Sequence, residues 1–270
     1  MEYRQLTDSE YKDLESRILY EDNHILIVNK KVGEIVQGDK TGDETLGDKY
    51  KAFIAIRDAK PGKVFLGIPH RIDRPVSGIT VLAKTSKALE RLSEMFRQGD
   101  VHKTYWALVC AAPFPESGEL DDWLVRNERM NKTFVVREAE KEERQHAAGK
   151  DAAGKDAARK DAPAPNATLG KGVPKEARLA RLTYKMIGKT DRYFLVEVHL
   201  LTGRHHQIRC QLSHIGCPIK GDLKYGAPRS NKDGGICLLA RNIRFVHPIK
   251  KTDLDITAPV PRDWKGLSDL

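Results

Sequence analysis

His70-Arg71-Ile72-Asp73-Arg74-Pro75-Val76-Ser77-Gly78 joins two apolar stretches, Val64-Phe65-Leu66-Gly67-Ile68 before it and Gly78-Ile79-Thr80-Val81-Leu82-Ala83 after it. Short runs rich in branched residues and bounded by turn formers read as buried strands. The segment between them is therefore expected to be a loop pinned at both ends by the core, the kind of loop on which folds place reactive groups. Asp73 is its carboxylate. Arg71 stands two residues before it and Arg74 directly after it, and nearby cations favour the ionised form of an acid. A carboxylate kept ionised suits a nucleophile better than a proton donor. On an exposed loop the same residues would be local ion pairs of small energetic weight; the flanking strands separate the two readings.

Further along, Tyr193-Phe194-Leu195-Val196-Glu197-Val198-His199-Leu200-Leu201 reads as a strand and runs into Thr202-Gly203-Arg204-His205-His206-Gln207-Ile208-Arg209. A helix is expected from about His205 to Ile215, stopped by Gly216 with Pro218 just beyond. Ile208, Leu212 and Ile215 share one face of it, which leaves Arg209 on the border of the buried stripe. A half-buried guanidinium calls for an anion, supplied either by an internal salt bridge or by a ligand.

These two segments, with Gly216-Cys217-Pro218-Ile219-Lys220-Gly221-Asp222-Leu223-Lys224-Tyr225-Gly226 after them, resemble the RluA-type family of RNA pseudouridine synthases. That family carries a His-Arg-Leu-Asp-x-x-Thr-Ser-Gly loop, then Gly-Arg-Thr-His-Gln-Ile-Arg, then Gly-x-Pro-Ile-x-Gly-Asp-x-x-Tyr-Gly. Two weaker matches agree with it: Tyr20-Glu21-Asp22 running into Ile25-Leu26-Ile27-Val28-Asn29-Lys30, and Lys103-Thr104-Tyr105-Trp106-Ala107-Leu108-Val109. The likeness covers most of the chain from about Ile18. The chain departs from the pattern at Ile72, Val76, His205, Cys217 and Lys31, which puts substrate preference in doubt more than reaction type.

The resemblance implies an α+β fold, the pseudouridine synthase fold, with a bent, mixed, mainly antiparallel sheet flanked by helices and loops around a central RNA-binding cleft. It implies isomerisation of uridine to pseudouridine in ribosomal or transfer RNA, on a base flipped out of its stack. Asp73 would be the nucleophile, Arg209 the arginine that pairs with it, and Tyr105 the tyrosine that stacks on the flipped base. Whether Asp73 attacks the sugar or promotes an elimination that gives a glycal stays open. Arg71, Arg74, Arg204 and His206 are expected to contact phosphate or sugar oxygens; Arg71 serves equally well as a brace for the loop. The isomerisation has no redox change and no energy input, so no cofactor and no metal is expected.

Composition sets the outer bounds. The 270 residues suffice for a sizeable core, and a net charge of +9 favours a polyanionic partner. RNA fits that charge. No long apolar run and no signal-peptide start is present, so a soluble cytoplasmic protein with no membrane association is expected. Cys110, Cys210, Cys217 and Cys237 form no Cys-x-x-Cys pair and read as reduced packing residues. A single catalytic domain over 1–270 is expected, with no separate N-terminal RNA-binding module, interrupted at 141–176 by a flexible insertion rich in Ala, Lys, Asp and Gly.

Other elements read as follows: helices over Asp8 to Arg17, Asp43 to Arg57 and Ser86 to Arg97; a hairpin over Ile18 to Asn29; strands over 104–110, 133–137, 179–186, 237–240, 244–247 and 254–257. Two rival functions draw on the same residues. His70, Asp73, His205, His206 and His214 could be drawn as ligands of a hydrolytic metal, but arginines at 71, 74, 204 and 209 would repel a divalent cation. A non-catalytic RNA-binding protein would need none of Asp73, Tyr105 and Arg209 together.

Overall fold

The computed structural model describes residues 3–38, 42–60, 62–136 and 176–264. The expected 141–176 insertion lies outside the described residues except for Glu176. Helix α1 (Asp8–Ser16) starts at Thr7, whose side chain accepts from the Glu10 amide while Glu10 reaches back to the Thr7 amide, a reciprocal cap. It leads into the hairpin of β1 (Ile18–Glu21) and β2 (Ile25–Lys30). Helix α2 (Leu46–Arg57), strand β3 (Ser77–Ala83), helix α3 (Ser86–Gln98) and strand β4 (His102–Val109) follow. Thr85 accepts the Ala88 amide at the start of α3, and Gly99 ends it in the left-handed conformation.

Strands β5 (Ser117–Asn127), β6 (Lys132–Val136), β7 (Arg178–Lys189) and β8 (Phe194–Leu200) precede helix α4 (Gln207–His214). Strands β9 (Leu238–Val246) and β10 (Asp253–Thr257) complete the order. All ten strands form one sheet, β1-β2-β3-β9-β4-β8-β7-β5-β6, with β10 on the free end of β9. Only β3 and β9 run parallel among the described pairs, through Ser77 against Leu239 and Gly78 against Ala240. This is the mixed, mostly antiparallel α+β architecture.

The near-continuous apolar run of β2 has a physical reason. Ile25 and Ile27 enter the main core, while Leu26 and Val28 point to the opposite face and pack with Leu14, Tyr50 and Phe53 of α1 and α2. A strand covered on both faces loses the usual apolar–polar alternation.

Three expectations need correction. Val64–Ile68 is not a strand: β3 has β2 along one edge and β9 against the start of the other, so this segment makes only the Gly67–Ala83 bridge. The expected strands 237–240 and 244–247 are one strand, β9. Its polar interruption is a bulge, where Thr104 faces Asn242 but Tyr105 faces Ala240, passing over Arg241. Bulges bend a strand and re-aim its side chains, and this one adjoins Tyr105. Strand β5 was not foreseen, because Ser117-Gly118-Glu119-Leu120-Asp121-Asp122 is largely acidic and exposed and holds its place through eight pairs with β7.

Candidate active site

The loop that carries Asp73 is fastened on all sides. Ile72 and Val76 are buried in the core. His70 accepts the Val81 amide on Nε2 at 2.9 Å and stacks on Phe96 at 4.3 Å. Burial, reinforced by the charge of Lys103, lowers its pKa to about 3, which keeps the imidazole in the neutral form that this acceptor role requires. Pro75 gives its carbonyl to the Ile236 amide, and Arg74 gives its carbonyl to Gly33. Beneath the loop Lys30, wholly buried, donates from Nζ to the carbonyls of Lys31, Glu34 and Arg74 at 2.9, 2.9 and 3.1 Å. Burial lowers its pKa to about 7 against the pull of Glu34 and Asp73. Gly78 closes the loop at φ 110°, and a Cβ there would stand 2.4 Å from the Ala240 carbonyl oxygen, so only glycine lets β3 approach β9 here.

Arg209 rises from α4, whose start differs from expectation. His206 adopts φ 52°, ψ 26°, and the helix begins at Gln207. Ile208 and Leu212 are buried, and Arg209 is only 5% exposed, deeper than the border position expected. Its guanidinium divides. Nε and Nη2 donate to the two carboxylate oxygens of Asp222 at 2.7 and 2.9 Å, and Nη1 donates to Asp73 Oδ2 at 3.2 Å. Burial alone would lower the Arg209 pKa, but the bonds and charge of Asp222, joined by Asp73, raise it above its ordinary value. Asp73 and Arg209, 136 residues apart, thus meet as an ion pair, while the two-pronged contact belongs to Asp222.

His206 reaches the same oxygen. The Thr133 amide donates to the Tyr225 hydroxyl at 2.8 Å, and that hydroxyl stands 3.0 Å from His206 Nδ1. A neutral ring carries one N–H and the Asp73 carboxylate can only accept, so that N–H sits on Nε2, 3.4 Å from Asp73 Oδ2, and Nδ1 accepts from the Tyr225 hydroxyl. Burial first, and then the charge of Arg209, lowers the His206 pKa to about 2. The ring is therefore neutral, and its place is beside the carboxylate. His206 was expected to contact phosphate or sugar oxygens; the ring is buried, with one nitrogen at Tyr225 and the other facing Asp73, and it lines both cavities.

The arginines beside Asp73 in sequence are turned away from it. Arg71 donates to the Gln37 side chain at 3.0 Å, and Arg74 pairs with Asp43 at 2.7 Å. An extended loop sends neighbouring side chains in different directions, so charge adjacency along the chain does not carry over into space. Arg204 donates from Nε to the Leu179 carbonyl at 2.9 Å. Asp73 Oδ2 thus has two partners, and Oδ1 has no hydrogen-bond or ion-pair partner among the described residues.

Two cavities meet at Asp73. The first, about 270 Å³, is lined on its apolar side by Tyr105, Phe96, Leu200, Ile208 and Leu238. Tyr105 is 8% exposed, and burial, then the charge of Asp73, raises its pKa, so the phenol keeps its proton. The second, about 370 Å³, is lined by Arg71, Arg74, Arg126, His205 and Lys224 along with Asp73. Asp222 and Tyr225 belong to the Gly216–Gly226 motif, which by itself gives neither a part in the site. Their signal was an acid between two lysines and an aromatic near glycines, and nothing local pointed either toward Asp73.

A partly exposed carboxylate held by a buried arginine thus lies beside aromatic side chains on a mixed, mostly antiparallel sheet, the fold of known pseudouridine synthases. The structure of Human RNA Pseudouridylate Synthase Domain Containing 4 shares that fold with a TM-score of 0.71, over 94% of this chain and 92% of that one, at 24% identity. Residues 24–214 match the family model described as RNA pseudouridylate synthase. The chain is 33% identical over 258 residues to ribosomal large subunit pseudouridine synthase C of Vibrio cholerae, covering 93% of this chain and 68% of that protein. It is 27% identical to ribosomal large subunit pseudouridine synthase D of Xylella fastidiosa, covering 95% of this chain and 70% of that one. The chain belongs to the RNA pseudouridylate synthase family, and is an isomerase acting on RNA. No helix among the described residues is long and apolar enough to cross a membrane.

Proposed function

We propose that this chain converts specific uridines of ribosomal RNA to pseudouridine, with Asp73 as the nucleophile acting on a flipped-out nucleotide. One observation carries the reading: Asp73 Oδ2 is held by Arg209 and faced by His206, while Oδ1 is left without a partner at the seam of the two cavities. An anion fixed through one oxygen and open at the other is set up to attack in one direction, and fixed orientation is worth several kcal/mol of barrier.

The cavities divide the substrate. A uracil ring, flat and mostly apolar on its faces, suits the aromatic side, where Tyr105 offers a stacking platform. The sugar-phosphate strand suits the cations of the second cavity. Asp73 lines both cavities, and a base held in a helical stack cannot seat its ring in the first, so on this reading the nucleotide is extruded, at a cost of roughly a few kcal/mol in lost stacking. Loop uridines are the least costly targets. Ribosomal RNA is favoured because relatives covering most of the chain are named for the large ribosomal subunit.

The test pairs wild type with Asp73→Asn on large-subunit ribosomal RNA and on transfer RNA, with pseudouridine mapped at nucleotide resolution. The wild type is expected to modify discrete ribosomal sites, and the variant to bind the same RNA without product. Modification confined to transfer RNA would overturn the substrate class, and turnover by Asp73→Asn above background would overturn the nucleophile.

A further inference from the structure

Lys103 lines the first cavity and has no hydrogen-bond or ion-pair partner among the described residues. It stands on β4 two residues before Tyr105, and strand alternation puts both on one face. Thr104 and Trp106 turn to the other face, where they meet His199 and Glu197 at 3.0 and 3.1 Å. Across the ladder from Lys103 is Leu200, an apolar neighbour. On the cavity side is Gly203, where an added Cβ would lie 3.7 Å from Lys103 Nζ. Glycine at that position leaves the amine uncovered toward the space beside Tyr105.

Burial lowers the Lys103 pKa, and no anion counters the effect. A cation drawn partly out of water without a counter-ion is unfavourable to the fold, and the compensating charge must come from whatever enters the cavity. The occupant there, on the reading given above, is the uracil ring. We infer that Lys103 is a further catalytic residue of the isomerisation: its ammonium donates to a carbonyl oxygen of the flipped uracil and stabilises the negative charge that this base carries once detached.

The electron count supports that role by either route. When the N1–C1′ bond breaks, its electron pair stays with the base and spreads over N1 and the two carbonyl oxygens. In direct attack Asp73 Oδ1 forms a bond to C1′; in elimination it takes the C2′ proton. The base leaves as an anion in both cases. C5 then supplies the pair for the new bond to C1′, the Asp73 carboxylate is released or returns the proton to C2′, and the C5 proton is lost as N1 gains one. Lys103 gives up no proton. It supplies a charge that is already in place when the uracil anion forms, the kind of preorganised stabilisation whose removal slows a reaction by about 10²- to 10³-fold.

Lys103→Met keeps the length of the side chain and deletes the charge. On a ribosomal RNA fragment that the wild type modifies, its single-turnover rate is expected to fall about 10²- to 10³-fold. RNA affinity should stay within about threefold, because the charge acts on the detached base and not on the phosphate backbone. Its thermal midpoint should equal or exceed that of the wild type, since an unpaired charge has been removed from a partly buried site. A rate close to wild type, a loss fully recovered at saturating RNA, or a lowered thermal midpoint would each overturn the inference, the last by showing that Lys103 has a structural partner. The inference rests on the proposed function, and the two fail differently. Wild type that makes no pseudouridine sinks the function, whereas an active wild type and an equally active Lys103→Met sink only the role of Lys103.

Discussion

Replacing Arg209 by lysine keeps the charge and removes the fork. In the structure three nitrogens of Arg209 serve two acids: Nε and Nη2 hold Asp222 at 2.7 and 2.9 Å, and Nη1 holds Asp73 at 3.2 Å. An ammonium is a compact point charge that cannot span both. Asp222 is 1% exposed and has the greater need of a counter-ion, so the lysine settles there and Asp73 loses its anchor. A hydrogen bond to a charged group contributes about 1.5–3 kcal/mol, and a nucleophile misplaced by about 1 Å loses about 10²-fold in rate. Arg209→Lys is therefore expected to lower the single-turnover rate of pseudouridine formation about 10²-fold and folding stability by only about 1–2 kcal/mol. Single-turnover kinetics with a ribosomal RNA fragment, alongside urea denaturation, measures both. A folded variant whose rate is within about threefold of wild type would refute the claim that the fork places Asp73.

Asp222→Asn should behave in the opposite sense: it leaves the buried Arg209 charge without its main partner, so urea denaturation should show a loss of about 3–5 kcal/mol, and a loss under about 1 kcal/mol would mean that Arg209 is satisfied elsewhere. RNA affinity should fall steeply between about 50 and 200 mM salt, because the second cavity offers cations to phosphates; a flat salt profile would point to a non-electrostatic partner. The pH prediction follows from His206, whose pKa falls from 6.5 to about 2 on folding. Above pH 6.5 both states are neutral; below it the unfolded chain takes a proton that the folded site refuses. Stability is thus retained above 6.5 and lost as pH falls toward the folded value, at up to about 1.4 kcal/mol per pH unit. Between pH 6.5 and 5 wild type should lose stability faster than His206→Gln, and equal slopes would show that His206 protonates in the folded state.

That Asp73, Tyr105 and Arg209 line one cavity agrees with the sequence, where each stands in a segment whose core periodicity and motif point the same way. Geometry could not be picked out to the same degree. Arg71 and Arg74 flank Asp73 in the chain, yet the structure gives them Gln37 and Asp43, because side-chain direction in a loop is set by backbone turns that sequence spacing does not encode. His206 was expected at phosphate or sugar oxygens and is a buried neutral ring, since its setting is built by Thr133 and Tyr225 from distant segments. Strand β5 escaped notice for a related reason: its order comes from pairing with β7, and its own acidic residues carry little apolar signal. Lys103 was quoted only as a motif residue, and its lack of a partner is a property of the folded cavity.

The division of labour around Arg209 also bears on how Asp73 could react as the proposed nucleophile. If both prongs of the guanidinium met Asp73, each carboxylate oxygen would accept a charge-assisted bond, and neither would be left without a cation drawing on its charge. Asp222 takes the two-pronged contact instead, which satisfies most of the desolvation cost of burying Arg209. What Asp73 receives from Arg209 is one bond, on the oxygen that His206 also faces, enough to fix its direction and too little to saturate it. The buried pair therefore serves two ends: Asp222 holds Arg209 in place, and Arg209 holds Asp73 while leaving Oδ1 open toward the cavity where the uridine would enter.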